Sequence, residues 1–305
     1  MSSSYIYTNG IRVHYIQSGT RDADYTLILL HGLASNARIW ELILPFLGAS
    51  GYALIAPDAR CHGLTDVTSG DLNFEVYFRD LISLIDTLSV NRPVLVGHSW
   101  GGHRVIDYAA RISVGAQSPV GIILVDGGMS QLNYSLPGYP TPTWESIRDR
   151  LAPPHLAGTP LLDFTDMVTS YIKNLVDDDE QLEQIISIIL ANFLIYLDDE
   201  TGIECIAPHL SFDNHMKIVR SMWEFNTYDY YSRIRCPVLM IPARKNSNQI
   251  SPDDQFLKSK EFGIQQAKQK IQHLEVAWMD QTIHDIPLQR PKELSDKIAE
   301  FISKL

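Results

Sequence analysis

The stretch VLVGHSWGG contains residues whose types and spacing could do chemistry, because Gly97, Ser99 and Gly101 form the pattern G-x-S-x-G. It directly follows an apolar strand candidate and directly precedes a segment with helical spacing. In that context the small flanking residues permit a sharp, strained turn that lifts the serine hydroxyl above a sheet. The N-terminus of the next helix favours negative charge that develops there. The alternative is a glycine-rich turn with an incidental serine, which the flanking strand and helix disfavour.

The elements that would position this serine alternate regularly along the chain. Between residues 25 and 126, short runs rich in Val, Ile and Leu are separated by segments with helical spacing. Such runs predict a parallel sheet that is covered by helices on both faces. A β-hairpin is expected before them, because Asn9-Gly10 is a strong two-residue turn signal between β-rich segments.

This alternation breaks between Gly127 and Ser232 and then resumes. Pro-rich turns and helical stretches, such as 163–176 and 181–197, replace the buried strands there. A helical insertion that interrupts a single α/β domain explains the break. The predicted core domain consists of 1–126 and 233–305, and the predicted helical segment of 127–232.

Further polar residues stand where apolar runs end. His31-Gly32 follows the first run, and the pattern D-x-R-x-H-G, from Asp58 to Gly63, follows the second. With G-x-S-x-G and a late histidine, these ordered segments resemble the α/β-hydrolase superfamily over nearly the whole chain outside the insertion. Cys61 and Thr65 depart from the family pattern, which usually has glycine and serine there. The resemblance implies an eight-stranded, mostly parallel sheet flanked by helices, with a helical cap inserted after the sixth strand.

The resemblance also implies roles for individual residues. Ser99 would be the nucleophile, and the backbone N–H groups of Leu33 and Trp100 would stabilise the oxyanion. A serine hydroxyl is a weak nucleophile and needs a base within hydrogen-bond reach. Among ten histidines, His284 has the position expected of that base. It follows the last apolar strand and begins the family pattern H-x-x-x-x-x-x-P, which ends here at Pro291.

The acid that orients the base is not where the resemblance implies. Most of the superfamily has an Asp or Glu after the seventh strand, but the corresponding positions here carry Asn246 and Asn248. The favoured hypothesis moves the acid to Asp126, at the end of the sixth strand, where certain haloalkane dehalogenases of this fold carry a carboxylate. A second hypothesis gives the role to an asparagine carbonyl, without charge stabilisation. A third brings in Asp253 from the same loop.

Composition limits the partners and the cellular setting. The net charge of -11 argues against nucleic acids and anionic membranes, which bind basic surfaces. The three cysteines form no C-x-x-C pair, so a cytoplasmic setting is the default expectation. Export by the usual signal peptide is not expected, because the first residues lack a charged start and an apolar core. Membrane insertion is not expected either, since no apolar run approaches the roughly 20 residues that span a bilayer. The motifs present predict no cofactor and no metal.

These residues predict a serine hydrolase that acts on a small-molecule substrate, a mainly apolar ester or related acyl compound, through an acyl-enzyme. A serine nucleophile argues against haloalkane dehalogenase and epoxide hydrolase chemistry, because those relatives of the fold use an aspartate. Lactone hydrolysis and carbon–carbon bond hydrolysis are alternatives within the same fold. A non-catalytic ligand-binding protein is the alternative of a different class, since loss of the acid after the seventh strand is one way in which such proteins arise.

Overall fold

The computed structural model describes residues 1–20, 23–90, 92–176, 178–245 and 254–305. The strands are β1 (Ser2–Thr8), β2 (Ile11–Gly19), β3 (Thr26–Leu30), β4 (Ala53–Pro57), β5 (Pro93–His98), β6 (Gly121–Val125), β7 (Thr159–Pro160), β8 (Phe193–Leu197), β9 (Glu204–Pro208), β10 (Val238–Ile241), β11 (Ala243–Arg244), β12 (Leu274–Val276) and β13 (Met279–Asp280). The α-helices are α1 (Leu44–Ala49), α2 (Phe74–Thr87), α3 (Trp100–Arg111), α4 (Trp144–Leu151), α5 (Leu161–Ile172), α6 (Asp179–Leu190), α7 (Phe212–Glu224), α8 (Thr227–Tyr230), α9 (Gln255–Lys270), α10 (Ile286–Gln289) and α11 (Pro291–Ile302).

Within the described residues, eight strands form one sheet in the order β1-β2-β4-β3-β5-β6-β10-β12. β2 pairs antiparallel with β1 and with β4, whereas the remaining neighbours pair in parallel. The prediction of a mostly parallel, eight-stranded sheet flanked by helices is therefore confirmed. At the hairpin, Asn9 and Gly10 have φ of 46° and 76°, as the predicted two-residue turn requires.

The centre of this sheet brings the chemically important strand ends together. β3, β5, β6 and β10 are neighbours, and every residue in these four strands is buried. Because they run in parallel, their carboxyl ends meet at one edge of the sheet. His31, Ser99 and Asp126 directly follow β3, β5 and β6, so all three lie along that edge.

The segment between β6 and β10 contains helices α4 to α8 and a three-stranded antiparallel sheet in the order β7-β9-β8. The prediction of helix over 181–197 is wrong at its end, because α6 stops at Leu190 and residues 193–197 form β8. The run FLIYL combines aromatic and β-branched residues, and its pairing with β9 prevails over the helical spacing that precedes it. The boundaries of the insertion, 127–232, stay a prediction.

The core lies on both faces of the sheet, as the parallel topology requires. Ile123 and Val125 of β6 join the apolar cluster that includes α1 and α11, whereas Ile122 and Leu124 join the cluster with α2, α3 and α9. Successive residues of a strand point to opposite faces, so one apolar strand serves both clusters. Among the helices of the described residues, none is long and apolar enough to cross a membrane.

We expect Ile123→Ala to lower the free energy of unfolding by about 2–5 kcal/mol, because Ile123 is fully buried in the central strand β6. Leu162→Ala is a control, since Leu162 is 70% exposed and its truncation should cost less than about 0.5 kcal/mol. Urea denaturation of both variants measures the difference. Similar losses in the two variants would contradict the central position of β6.

Candidate active site

Ser99 lies at a strained turn between β5 and α3 and forms the N-cap of that helix. Its φ of 54° and ψ of -120° place a non-glycine residue in a conformation that costs about 1–3 kcal/mol. The N–H of Ser99 donates to the carbonyl of Val125 at 3.0 Å, and its carbonyl accepts from the N–H of Gly102 at 3.0 Å. These two bonds tie the turn to the end of β6 and to the first turn of α3.

Close backbone contacts around this turn require glycine. A Cβ on Gly97 would lie 2.3 Å from the carbonyl oxygen of Gly101, and a Cβ on Gly101 would lie 2.3 Å from that of Leu30. A Cβ on Gly127 would lie 2.1 Å from the carbonyl oxygen of Ser99. The turn therefore packs directly against the chain that leaves β3 and β6, which positions Ser99 relative to both strand ends.

The loop after β3 also approaches the serine. A Cβ on Gly32 would lie 3.5 Å from Ser99 Oγ. His31 holds this loop, because its Nε2 accepts from the N–H of Ala59 at 2.9 Å and its Nδ1 donates to the carbonyl of Gly32 at 2.7 Å. Burial lowers the pKa of His31 to about 4, so the ring is neutral at pH 7. Leu33, a candidate oxyanion donor, is the next residue in this loop.

The second candidate donor, Trp100, is the first residue of α3. The N–H groups of the first turn of a helix have no partner within the helix, which is what the predicted role of the Trp100 N–H requires. Its indole ring is buried and fixed by aromatic contacts, stacked on His62 at 5.5 Å and edge-on to Tyr77 at 4.7 Å. The backbone beside Ser99 is therefore held firmly in place.

His284 and Asp126 are joined by a hydrogen bond. His284 lies between β13 and α10, and its Nδ1 donates to Asp126 Oδ2 at 2.7 Å. The other carboxylate oxygen, Oδ1, accepts from the N–H of Ala243 at 2.8 Å and lies 2.5 Å from Lys260 Nζ. The side chain of Asp126 is 1% exposed, whereas that of His284 is 40% exposed. The structure thus pairs the predicted base with the favoured candidate for the acid.

Burial is the largest influence on the pKa of each partner, and the neighbouring charges outweigh it. Burial lowers the pKa of His284, but the hydrogen bond and charge of Asp126 raise it above its ordinary value. Burial raises the pKa of Asp126, but His284 and Lys260 hold it below its ordinary value. Asp126 is therefore ionised at neutral pH and accepts the Nδ1–H bond, which leaves Nε2 of a neutral His284 free to accept a proton.

His98 supports His284, the predicted base, from the sheet. Its Nε2 donates to the backbone carbonyl of His284 at 3.0 Å, and the two rings are 4.8 Å apart between centroids. Burial, followed by the charge of His284, lowers the pKa of His98 to about 4. The carboxylate of Asp285, which is 43% exposed, lies 3.8 Å from His98 Nε2. His98, the residue before Ser99, therefore holds the backbone of the predicted base in place.

Lys260 is the residue of this cluster that the sequence interpretation missed. It lies on the buried face of α9, at helical spacing with Gly263, Ile264 and Ala267. The signal available in the sequence was a lysine at a position of the buried helix face, where the other positions carry small or apolar residues. Two other candidates for the acid position, Asn246 and Asn248, lie outside the described residues, as does Asp253.

Two cavities adjoin the loop that follows Leu33, and both include Ala34 and Ser35 in their walls. The larger has a volume of about 430 Å³ and the smaller about 230 Å³, so the larger is in the range of small-molecule sites. Both have further walls from the segment between β6 and β10. In the part of the chain that the structure describes, no group of three or more His, Cys, Asp or Glu side chains could hold a metal ion.

The model of the alpha/beta hydrolase family matches residues 27–297, and the chain belongs to this family. The solved structure of E-2-(acetamidomethylene)succinate hydrolase is similar over 99% of both chains, with a TM-score of 0.74 and 18% identity, which supports the fold alone.

Curated relatives match over shorter regions. Epoxide hydrolase 3 of Xenopus tropicalis is 38% identical over 105 residues, which is 34% of this chain and 28% of that protein. A haloalkane dehalogenase of Psychrobacter cryohalolentis is 35% identical over 94 residues, which is 30% of this chain and 31% of that protein. The chain thus matches less than a third of the length of either relative.

We expect Gly97→Ala to destabilise the protein by about 1–3 kcal/mol, because the new methyl group would meet the backbone of Gly101. Gly70→Ala is the matched control, since a Cβ there has no atom of the described residues within 4 Å. Thermal unfolding of the two variants measures the effect. An unchanged melting temperature for Gly97→Ala would show that the turn is looser than this geometry requires.

Proposed function

We propose that this protein is a serine hydrolase that cleaves small, mainly apolar esters or related acyl compounds through an acyl-enzyme. The observation that carries the proposal is the 2.7 Å hydrogen bond between His284 Nδ1 and Asp126 Oδ2, beside the strained turn of Ser99. A buried carboxylate in this position fixes the tautomer of the imidazole. It also stabilises the imidazolium that forms when the serine loses its proton.

The reaction proceeds in two halves. Ser99 Oγ attacks the acyl carbon while His284 Nε2 takes the hydroxyl proton, and the backbone N–H groups of Leu33 and Trp100 stabilise the oxyanion. Collapse of the tetrahedral intermediate breaks the bond to the leaving group, which receives the proton from His284. Water then gives a proton to His284 and attacks the acyl-enzyme, which releases the acid and restores Ser99.

The identity of the nucleophile separates this reaction from those named for the curated relatives. Displacement of a halide or opening of an epoxide by a serine oxygen would leave an ether on the enzyme. An ether has no carbonyl carbon for water to attack, so the enzyme would not turn over. Acyl transfer to Ser99 leaves an ester, which the same oxyanion donors help to hydrolyse. Ser99 therefore favours acyl transfer, although parts of the chain are similar in sequence to an epoxide hydrolase and a haloalkane dehalogenase.

The larger cavity supports a mainly uncharged substrate. Its polar wall includes His62, His209 and His215, and burial lowers the pKa of each of these histidines, so they are neutral at pH 7. Its apolar wall comes largely from residues between β6 and β10, and it meets the core domain at Ala34, Ser35, His62 and Gly63, which supports the proposal that 127–232 serve as a cap over this part of the core domain. The substrate would bind between this cap and the loop at Ala34 and Ser35.

We also propose a cytoplasmic setting for this reaction. Cys61, Cys205 and Cys236 are free thiols, and the first two are buried. Free thiols persist in reducing compartments.

A fluorophosphonate probe should label wild-type protein at Ser99, and Ser99→Ala should abolish both labelling and hydrolysis of p-nitrophenyl esters. The reason is that phosphonylation needs the same activated serine as acyl transfer. Mass spectrometry of the labelled peptide checks the site. Folded wild-type protein that resists labelling and cleaves no ester would instead support a ligand-binding protein. A preference for anionic acyl groups would count against the apolar cavity as the acyl site.

Asp126→Asn should lower kcat by roughly 10³-fold or more, because the neutral amide cannot stabilise the imidazolium. Asn246→Ala and Asn248→Ala are controls on the loop where the family usually carries its acid, and each should retain turnover within a few-fold. Steady-state kinetics with circular dichroism of each variant tests this assignment. Near wild-type turnover in Asp126→Asn, with activity lost in either control, would move the acid to that loop.

A further inference from the structure

Asp126 is held at its second oxygen by a lysine that the proposed reaction does not use. Lys260 Nζ lies 2.5 Å from Asp126 Oδ1 and donates to the carbonyl of Ala243 at 2.7 Å. Ala243 in turn donates its N–H to the same Oδ1 at 2.8 Å. The carboxylate is thus fixed on one side by α9 and β11, and its other oxygen faces His284.

This ion pair is shielded from water. The side chains of Lys260 and Asp126 are 6% and 1% exposed, so solvent does not screen the two charges. Lys260 loses its hydration in such a position, and an apolar side chain on this face of α9 would not carry that cost, although it would leave the charge of Asp126 less compensated. The lysine therefore contributes a fixed positive charge beside the carboxylate, which packing of this face alone does not require.

Other groups face the pair from neighbouring elements. His98 at the end of β5 is buried and neutral, whereas Asp285 adds negative charge and raises the pKa of His284. Phe256 of α9 lies near Lys260 and His284, with its ring centroid 4.9 Å from Lys260 Nζ and 6.2 Å from the ring centroid of His284. The positive charge of Lys260 thus counteracts the effect of two carboxylates, Asp126 and Asp285, on the pKa of His284.

We propose that Lys260 is a positioning residue that fixes Asp126 in the orientation presenting Oδ2 to His284, and that sets the pH range in which His284 acts as a base. This inference rests on the proposed function. The charge of Lys260 lowers the pKa of His284, against the larger effect of Asp126. A positive charge opposes proton binding by the Asp126–His284 pair wherever the proton resides, so its removal raises the proton affinity of the pair.

Lys260→Met should therefore shift the His284 titration to higher pH by about one unit or more. NMR titration of the imidazole resonances measures this shift, and the loss of a signal in His284→Gln assigns it. The acidic limb of kcat/KM should move in the same direction, because only neutral His284 can take the proton of Ser99. Lys268→Met is the matched control, since Lys268 is exposed on the same helix and its loss should move neither midpoint.

The titration separates this inference from the proposed function, because it needs no turnover. An enzyme that is labelled at Ser99 but whose His284 midpoint and acidic limb stay in place in Lys260→Met would overturn the role of Lys260 alone. Absence of labelling and of hydrolysis in the wild-type protein would overturn the proposed function, and with it the role of His284 as a base.

A double-mutant cycle covers the case in which Lys260→Met folds poorly. The fall in melting temperature should be smaller in the Asp126→Asn background, because no uncompensated buried carboxylate then remains. Equal losses in the two backgrounds would show that Lys260 acts on the fold independently of Asp126, and the proposal would be wrong.

Discussion

The carboxylate of Asp126 is almost completely buried, so its charge must be matched by donors from distant parts of the chain. Ala243 donates from β11, Lys260 from α9 and His284 from the loop before α10. All three donors follow β10, so the last part of the chain must return to the sheet beside β6 before the ionised carboxylate is stable. The same return brings His284 next to His98, the residue that precedes Ser99 in the chain.

The turn at Ser99 is governed by backbone contact instead of charge. Glycines at 97, 101 and 127 allow the ends of β3, β5 and β6 to approach within distances that any side chain would prevent. This contact supports the strained conformation of Ser99, because the surrounding backbone leaves no room for the turn to relax. Buried charge and backbone contact therefore act on adjacent strand ends, where charge fixes Asp126 and backbone contact fixes Ser99.

The walls of the cavities have a different origin. The sheet and its turns follow the family pattern, whereas much of the cavity lining comes from the helices and the small sheet between β6 and β10. In the proposed function, catalytic geometry and substrate choice would thus be carried by different parts of the chain. Local identity to epoxide hydrolase 3 and a haloalkane dehalogenase covers about a third of this chain, so it does not extend to the full set of walls.

The amino-acid sequence by itself determined the sheet, the hairpin and the strained turn, because buried strands and tight turns leave local patterns of apolar residues and glycines. It also reduced the acid to a few candidates, although His284 and Asp126 stand 158 residues apart. Only the tertiary structure decided that Lys260 joins Asp126, and that residues 193–197 pair as a strand instead of extending α6. Ion pairing and strand pairing depend on which distant segments meet, and the local patterns at Lys260 and at 193–197 do not identify the partner segment.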